Sequence, residues 1–329
     1  MDFLLENFWT LTVTGLSLGA IYSLIALGYT LVYGVLQLIN FAHSEVFMYG
    51  AFAATWTVTA LGGSSSAGLG EVVALLFAGL AAAMIVSGIV ALVLERVAYR
   101  RLRKQGSPRL IVLISAIGAS FVLAEAMGLR DKIFGFVALD DDLAPYVRNA
   151  RDSKGFPEII DVSQVFTLGD YQVTNVDIMV ITSSLLMMLA LDQFVARTRF
   201  GRGIRAVSQD PEAAALMGVN SDRSVQLTFL LGGLMAGVAA MLYMIKVGSV
   251  RFDTGFLLGV KAFTAAVLGG IGNLRGALIG GLILGLAENY GAALIGTEWQ
   301  DVVAFTLLVV ILLFRPTGLL GESLGKART

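Results

Sequence analysis

The chain of 329 residues is 57% hydrophobic and only 14% charged, and its formal net charge is −1. Because a soluble domain carries roughly a quarter charged residues, this composition excludes an ordinary soluble fold and indicates a protein with several membrane spans. The balanced charge excludes a general basic surface for nucleic acid. Cysteine is absent and there is a single histidine, so we expect no metal site in this chain.

Segments apolar enough to cross a membrane follow one another along the chain. The N-terminal MDFLLENFWT lacks a basic stretch and a cleavage site of small residues, so we interpret it as leading into the first span rather than as a signal peptide. Two late segments, 256–272 and 276–296, are apolar but rich in glycine, and 302–314 forms a last, short span. Six earlier segments reach the length of about 20 residues that a span requires: 11–33, 35–60, 72–94, 110–129, 176–195 and 224–245.

These segments predict an all-α fold, a polytopic membrane bundle with glycine-broken or re-entrant segments, forming one domain over residues 1–329. Lys and Arg concentrate in the loops 95–109 and 196–223 and again after residue 314, whereas the loop 129–175 is rich in acidic residues. By the positive-inside rule the basic loops and the C-terminus lie in the cytoplasm, and the loop 129–175 and the N-terminus lie outside. This arrangement requires an odd number of spans. Nine spans result if both glycine-rich segments cross the membrane, and seven if both are re-entrant.

The stretch LINFAHSEVF, residues 38–47, places polar side chains in an apolar segment. Glu45 is the one charged residue between positions 11 and 60, and Asn40 and His43 accompany it. Ionisable groups in a membrane must be paired, hydrated or neutral, so these side chains should face protein or a cavity. A regular helix would put Asn40 and His43 on one face and Glu45 on another, whereas a break near 40–45 would bring them together. Three interpretations stay open: a hydrogen-bond cluster that fixes the break, the lining of a substrate path, and a proton relay.

Three further charged residues lie within or beside apolar segments, namely Glu125, Lys261 and Glu288. The same cost of burying a charge predicts that each faces the interior of the bundle. Lys261 and Glu288 lie on either side of the glycine-rich turn GGIGNLRG, and we expect them to form an ion pair across it.

Glycines spaced four residues apart recur in the apolar segments. Such a pair puts two glycines on one helix face and lets two helices approach closely, either inside one chain or between two subunits. The pairs are Gly15 and Gly19, Gly233 and Gly237, Gly276 and Gly280, and Gly281 and Gly285.

The loop 196–223 contains SQDPEAAALMGVNSDR, which predicts a short helix of about seven residues. Asp210 is a good N-cap and Pro211 is favoured at the first helical position, while Gly218 can adopt the left-handed conformation that ends a helix. A helix this short is marginal on its own in water. It should therefore lie on its own bundle or dock into a groove of a partner protein.

The spacing E-A-A-x-x-x-G, from Glu212 to Gly218, resembles the cytoplasmic signature of bacterial ABC importer permeases, where it forms the coupling helix that seats in the ATPase subunit. In a docked helix the small residues 213–215 would permit close approach, and Leu216 and Met217 would fill a pocket. The resemblance assigns coupling to five residues: Asp210, Glu212, Ala213, Ala214 and Gly218.

Longer stretches make the resemblance more specific and cover most of the chain outside the loop 130–175. They are similar to the Liv-type high-affinity branched-chain amino acid permease, H subunit. One departure is visible at Ser44, because the family usually reads A-H-G-E there. The similar stretches are GAIYSLIALGYTLVYGVLQLINFAHSEVFMYGAF (19–52), ERVAYRRLR (95–103), LISAIGAS (113–120), KAFTAAVLGGIGNLRGALIGGLILGLAE (261–288) and RPTGLLG (315–321).

This resemblance implies a multi-pass permease subunit of a heteromeric importer in the bacterial inner membrane. Its expected partners are a second permease chain, two ATPase subunits and an external substrate-binding protein. The chain contains no G-x-x-x-x-G-K-[ST] phosphate loop, so we expect a transport subunit and not an enzyme, with ATP and Mg²⁺ on the ATPase partners.

The resemblance implies branched-chain amino acids as cargo, while urea, other amino acids and short amides stay open within the wider family. An ion-coupled secondary transporter is the alternative from another class, because it would also use glycine-broken segments and buried carboxylates.

Overall fold

The computed structural model describes residues 4, 6–65, 67–135, 144–169 and 171–321. The densest acidic run of the expected outer loop, LDDD at 139–142, lies outside the described residues, as does the chain after 321. The predicted all-α fold is confirmed, since long helices make up most of the described part, accompanied by two two-stranded β-ladders.

The helices of the N-terminal part begin and end close to the predicted segments. They are α1 (Phe8–Leu36), α2 (His43–Ala60), α3 (Leu69–Leu94), α4 (Arg100–Lys104) and α5 (Arg109–Gly128). A π-helical turn, Glu95–Tyr99, joins α3 to α4. The helical rod that starts at Leu69 therefore continues to Lys104.

The segment that follows α5 contains short elements. They are α6 (Arg130–Gly135), α7 (Ala144–Val147), β1 (Lys154–Gly155), β2 (Gln164–Leu168) and β3 (Tyr171–Thr174). β2 and β3 pair as an antiparallel hairpin. β1 pairs antiparallel with a distant strand, β4 (Ser249–Val250), so that Lys154 lies opposite Val250.

Helices fill the remainder of the described chain. They are α8 (Asn175–Arg197), α9 (Arg199–Gln209), α10 (Pro211–Leu216), α11 (Ser221–Val247), α12 (Thr254–Gly269), α13 (Leu274–Ile295) and α14 (Gln300–Phe314). A 3₁₀ turn, Thr297–Trp299, leads directly into α14.

Seven helices of the described part are long and apolar enough to cross a membrane: Phe8–Leu36, Leu69–Lys104, Arg109–Gly128, Asn175–Arg197, Ser221–Val247, Leu274–Ile295 and Thr297–Phe314. α12, with 16 residues, is a shorter apolar helix. The glycine-rich segment 276–296 forms α13, an unbroken helix of 22 residues that is long and apolar enough to cross a membrane, which favours the alternative in which it crosses. Its glycines contact neighbouring helices and do not interrupt it.

The apolar segment 35–60 does not form a single helix, because the chain leaves the helical path between α1 and α2. Gln37 has a left-handed φ of 51° and its N–H donates to Tyr33 O at 2.7 Å, which ends α1. Helix resumes at His43. The break that the polar stretch suggested is therefore present, and it covers residues 37–42.

The described residues form two compact units, and the first contains residues up to 37, 162–228 and those from 260 onward. In this unit α1 packs closely along α13. A Cβ on Gly19 would lie 2.6 Å from Gly281 O, and one on Gly15 would lie 3.0 Å from Gly285 O. Only hydrogen fits at these positions, so two of the predicted glycine pairs face each other inside the chain.

The second unit contains residues 38–161 and 229–259. In it α11 packs on α3, and a Cβ on Gly233 would lie 2.7 Å from Ser87 O. The hydroxyl of Ser87 in turn donates to Val46 O of α2 at 2.9 Å. Close helix packing in this unit positions the first turns of α2, which carry the polar stretch.

Candidate functional site

The break between α1 and α2 is tied to the π-helical turn that extends α3. Asn40 is buried, and the Tyr99 hydroxyl donates to Asn40 Oδ1 at 2.8 Å. The Tyr99 ring packs on Phe229 with ring centroids 5.2 Å apart. These contacts favour the interpretation in which Asn40 fixes the break.

His43 and Ser44 form the first turn of α2. His43 is buried, and its backbone N–H donates to Asn40 O at 3.0 Å. Ser44 stands where the resembled family usually has glycine, but its φ is not left-handed. Its hydroxyl donates to Phe41 O at 2.8 Å, so the serine is accommodated by a local hydrogen bond.

Glu45 is 1% exposed and receives its hydrogen bonds on one oxygen. Oε1 accepts from the hydroxyl of Ser120 at 3.2 Å and from that of Ser44 at 3.4 Å. Oε2 has no hydrogen-bond partner in the described part of the chain. The structure therefore gives Asn40 and Glu45 different side-chain partners. Sequence reasoning missed Ser120, because it comes from α5, 75 residues away.

The free oxygen of Glu45 faces the first turn of α12. A Cβ on Gly255 would lie 2.7 Å from Glu45 Oε2 and 2.8 Å from Ser44 O. Glycine at position 255 thus allows the backbone of α12 to contact the start of α2. The N-termini of α2 and α12 therefore meet beside the buried carboxylate of Glu45. Each helix N-terminus carries a partial positive charge.

Lys261 and Glu288 form the ion pair that was expected between the glycine-rich segments. Lys261 Nζ contacts Glu288 Oε1 and lies 2.7 Å from Asp301 Oδ1. Glu288 is 1% exposed and Asp301 is 45% exposed. Sequence reasoning missed Asp301, which lies in the first turn of α14, because the predicted last span began after it.

Glu125 does not lie in the interior, contrary to expectation. Its side chain is 51% exposed, in the last turn of α5. From there it reaches the segment that follows α5, where Arg151 Nη2 lies 2.8 Å from its Oε2. A carboxylate at the end of a helix can pair with a loop cation without burial, which explains the difference.

Two buried carboxylates were not recognised from the sequence. Glu95 begins the π-helical turn and pairs with Arg103 at 3.3 Å. Asp177 lies in the first turn of α8, where the Thr174 hydroxyl donates to Oδ2 at 2.7 Å and the Ser17 hydroxyl donates to Oδ1 at 2.9 Å. The capping pattern of Thr174 and Asp177 was the available signal.

The short helix of the loop 196–223 is present as α10, and it ends at Leu216, one residue before the predicted end. Asp210 Oδ1 accepts from the backbone N–H groups of Glu212 and Ala213, both at 2.9 Å. Gly218 has a φ of 82°, the left-handed conformation expected after a helix. Sequence signals of capping therefore located this helix to within one residue.

The surface of α10 differs from the expected small face in one respect. Ala214 is 5% exposed and packs against its own chain, so it cannot lie on a docking surface. Leu216 and Met217 are 90% and 84% exposed. A short helix must bury one side to remain folded, and α10 buries Ala214 while presenting two large apolar side chains to its surroundings.

The described residues contain no group of three or more His, Cys, Asp or Glu side chains that could hold a metal ion.

Comparison with known proteins covers almost the entire chain. The family model described as "Branched-chain amino acid transport system / permease component" matches residues 11–312. The chain is 42% identical over 313 residues to the high-affinity branched-chain amino acid transport system permease protein BraD of Pseudomonas aeruginosa, covering 94% of both chains. It is 41% identical over 308 residues to LivH of Escherichia coli, named in the same terms, again over 94% of both chains. A probable branched-chain amino acid transport permease of Methanocaldococcus jannaschii is 26% identical, over 93% of this chain and 90% of that one. The protein belongs to the family of permease components of branched-chain amino acid transport systems.

Proposed function

We propose that this chain is the transmembrane permease subunit of an ATP-driven importer that moves branched-chain amino acids into the cell. The observation that carries the proposal is the identity of 41–42% over 94% of the chain to two permeases named for this cargo. The chain contributes spans and a path, and ATP is hydrolysed on other subunits, consistent with the lack of a phosphate loop in its sequence.

The proposed partners are a second permease chain, two ATPase subunits and an external substrate-binding protein. α10 is the proposed coupling helix, with Asp210, Glu212, Ala213 and Gly218 setting its caps and first turn. The exposed Leu216 and Met217 support docking, because two large apolar side chains beside a short helix fit a groove on a partner. The alternative of an ion-coupled transporter does not explain this capped helix.

The proposed orientation places the loops 95–109 and 196–223 and the C-terminus in the cytoplasm of a bacterial cell, with the N-terminus and the loop 129–175 outside the inner membrane. The distribution of Lys and Arg supports it. Because the chain has no cysteine, single cysteines placed at Ser107 and Ser153 report the two sides. If an impermeant reagent labels the Ser107 variant in intact cells, the chain has the opposite orientation to the one proposed.

We assign different roles within the polar stretch. Asn40 supports the break through Tyr99, and His43 begins α2 beside it. Glu45 is the proposed part of the substrate path, because its free oxygen faces the start of a second helix rather than a partner side chain.

The function is tested by co-expressing this chain with its ATPase, permease and binding-protein partners and measuring uptake of a panel of substrates into proteoliposomes. Leucine, isoleucine and valine should be taken up and should compete with one another. If urea or a short amide is taken up while leucine is not, the proposed cargo is wrong although the permease assignment remains.

A further inference from the structure

Four carboxylates in the described part are almost fully buried, and three of them are compensated. Glu95 and Glu288 contact the cations Arg103 and Lys261. Asp177 accepts hydrogen bonds on both oxygens. Glu45, in contrast, has no cationic partner among the described residues. An oxygen that accepts no hydrogen bond is common to Glu45, Glu95 and Glu288, so the missing cation is what distinguishes Glu45.

An unpaired oxygen of a buried carboxylate is costly, because the group has lost its water without gaining a replacement. At Glu45 no cation among the described residues offsets this cost. A cation that enters and leaves would satisfy the oxygen only while it is present. Glu45 has the features of a site for a transient cation.

The groups around Glu45 indicate which kind of cation would fit there. The carboxylate lies in the first turn of α2 and its free oxygen faces the first turn of α12, at Gly255. The two helix N-termini attract negative charge, while the Glu45 oxygen attracts positive charge. A site that offers a negative carboxylate and partially positive helix N-termini close together suits a zwitterion. Discontinuous helices of transporters bind amino acid substrates through their N-termini in this way.

The geometry points to Glu45 Oε2 as the group that receives the ammonium of the transported amino acid, with the substrate carboxylate directed to the first turn of α12. This inference rests on the proposed function and adds the chemistry of the site. Serine hydroxyls of Ser44 and Ser120 hold Oε1 and leave Oε2 for the substrate.

The site is closed in the arrangement described here. Gly255 lies so near Glu45 that even a Cβ would be 2.7 Å from the free oxygen. The ammonium can therefore reach Glu45 only when the first turn of α12 moves away, and closing that turn would return the oxygen to its unpaired state and favour release. Weak, transient binding is what a transport path requires.

The first test separates charge from hydrogen bonding. Glu45→Gln keeps the size and an acceptor oxygen for the two serines but removes the charge, whereas Glu45→Asp keeps the charge. Glu125→Gln is the matched control, because it makes the same change at an exposed carboxylate that pairs with Arg151 outside this site. We expect leucine uptake by the complete reconstituted complex to fall at least tenfold in the Gln variant, with ATPase association and ATP hydrolysis retained. The Asp variant should keep more uptake than the Gln variant. Uptake within twofold of the unmodified protein in the Gln variant would overturn the proposal.

The second test uses ligands that differ in one charge, and it does not depend on uptake. The purified complex of permease and ATPase chains, without the binding protein, is melted in detergent with leucine, with leucinol and with 4-methylpentanoate. Leucine and leucinol carry the ammonium and should raise the melting temperature, whereas 4-methylpentanoate lacks it and should not. The leucine shift should disappear in Glu45→Gln and remain in Glu125→Gln. A leucine shift that persists in the Gln variant, or no shift with the unmodified complex, contradicts this site, while leucine uptake by that complex would still support the proposed function.

Discussion

The hydroxyl of Tyr99 donates a hydrogen bond to Asn40 Oδ1 at 2.8 Å, joining residues 59 positions apart in the chain. Through this bond the π-helical end of α3 holds the break that precedes α2. The polar stretch starts α2 at His43, so the position of Glu45 depends on a contact from another helix.

Replacing Tyr99 with Phe should lower the free energy of unfolding by about 1–3 kcal/mol, because a buried amide oxygen loses its donor. The measurement is the melting temperature of the purified protein in detergent. Tyr243→Phe is the matched control, since the edge-on contact of that ring with Phe47 does not involve the hydroxyl. Equal melting temperatures for the Tyr99 variant and the unmodified protein would show that the hydrogen bond does not hold the break.

Replacing Gly19 with Ala should separate α1 from α13, because the added Cβ would lie 2.6 Å from Gly281 O, a backbone atom that cannot rotate away. Overpacking of this kind costs about 1–3 kcal/mol. Gly118→Ala is the control, because a Cβ on Gly118 meets nothing within 4 Å. We expect reduced membrane abundance and a lower melting temperature for Gly19→Ala, and neither change for Gly118→Ala. Similar losses in both variants would point to a general effect of alanine.

Replacing Lys261 with Met should destabilise the first unit by up to about 3–5 kcal/mol, because Glu288 is left buried without its cation. Adding Glu288→Gln should recover part of the loss, since the second change removes the uncompensated charge. Thermal melting of the two single variants and the double variant gives the coupling free energy between Lys261 and Glu288. If the losses simply add, the pair does not stabilise the protein through its charges.

Replacing Gly218 with Val should re-aim α10, because a β-branched residue is disfavoured at a φ of 82°. We expect normal membrane abundance, weaker co-purification of the ATPase chains and lost uptake. Leu216→Ser should act in the same direction by removing an exposed apolar contact. Gly106→Val is the control, because Gly106 also has a positive φ, in the other basic loop. If the Gly106 and Gly218 variants behave alike, backbone strain and not docking explains the loss.

The structure also changes which variants can report on docking. Ala214 lies in the E-A-A spacing but is buried against its own chain. Ala214→Glu would place a charge inside the loop 196–223 and unfold it, so any loss of ATPase binding would be indirect. Leu216 and Gly218 are the informative positions.

Features that local chemistry determines could be predicted from the sequence. The caps of α10 follow from Asp210 and Gly218, whose preferences act over a few residues. The glycine spacing at Gly281 and Gly285 predicted a close helix contact. It did not reveal that α1 supplies the opposite face, because no local signal reports a partner more than 250 residues away.

The candidate site was only partly predictable for the same reason. A polar stretch in an apolar segment identified Glu45 and suggested a break near 40–45, but the local sequence did not specify where helix ends and resumes. The partners Tyr99, Ser120 and Gly255 come from three other elements. Hydroxyls and a glycine are common in membrane helices, so their sequence positions carried no signal of a shared site.

The central claim is that this chain transports its cargo with energy from ATP hydrolysed on partner subunits, and one measurement tests it directly. Proteoliposomes are prepared with the complete complex, with the binding protein and labelled leucine on one side and ATP on the other. Uptake should require ATP, should persist when ion gradients are collapsed by ionophores, and should cease when the ATPase chains carry a substitution that blocks hydrolysis. Uptake that needs an ion gradient and proceeds without ATP would contradict the account and identify the protein as a secondary transporter.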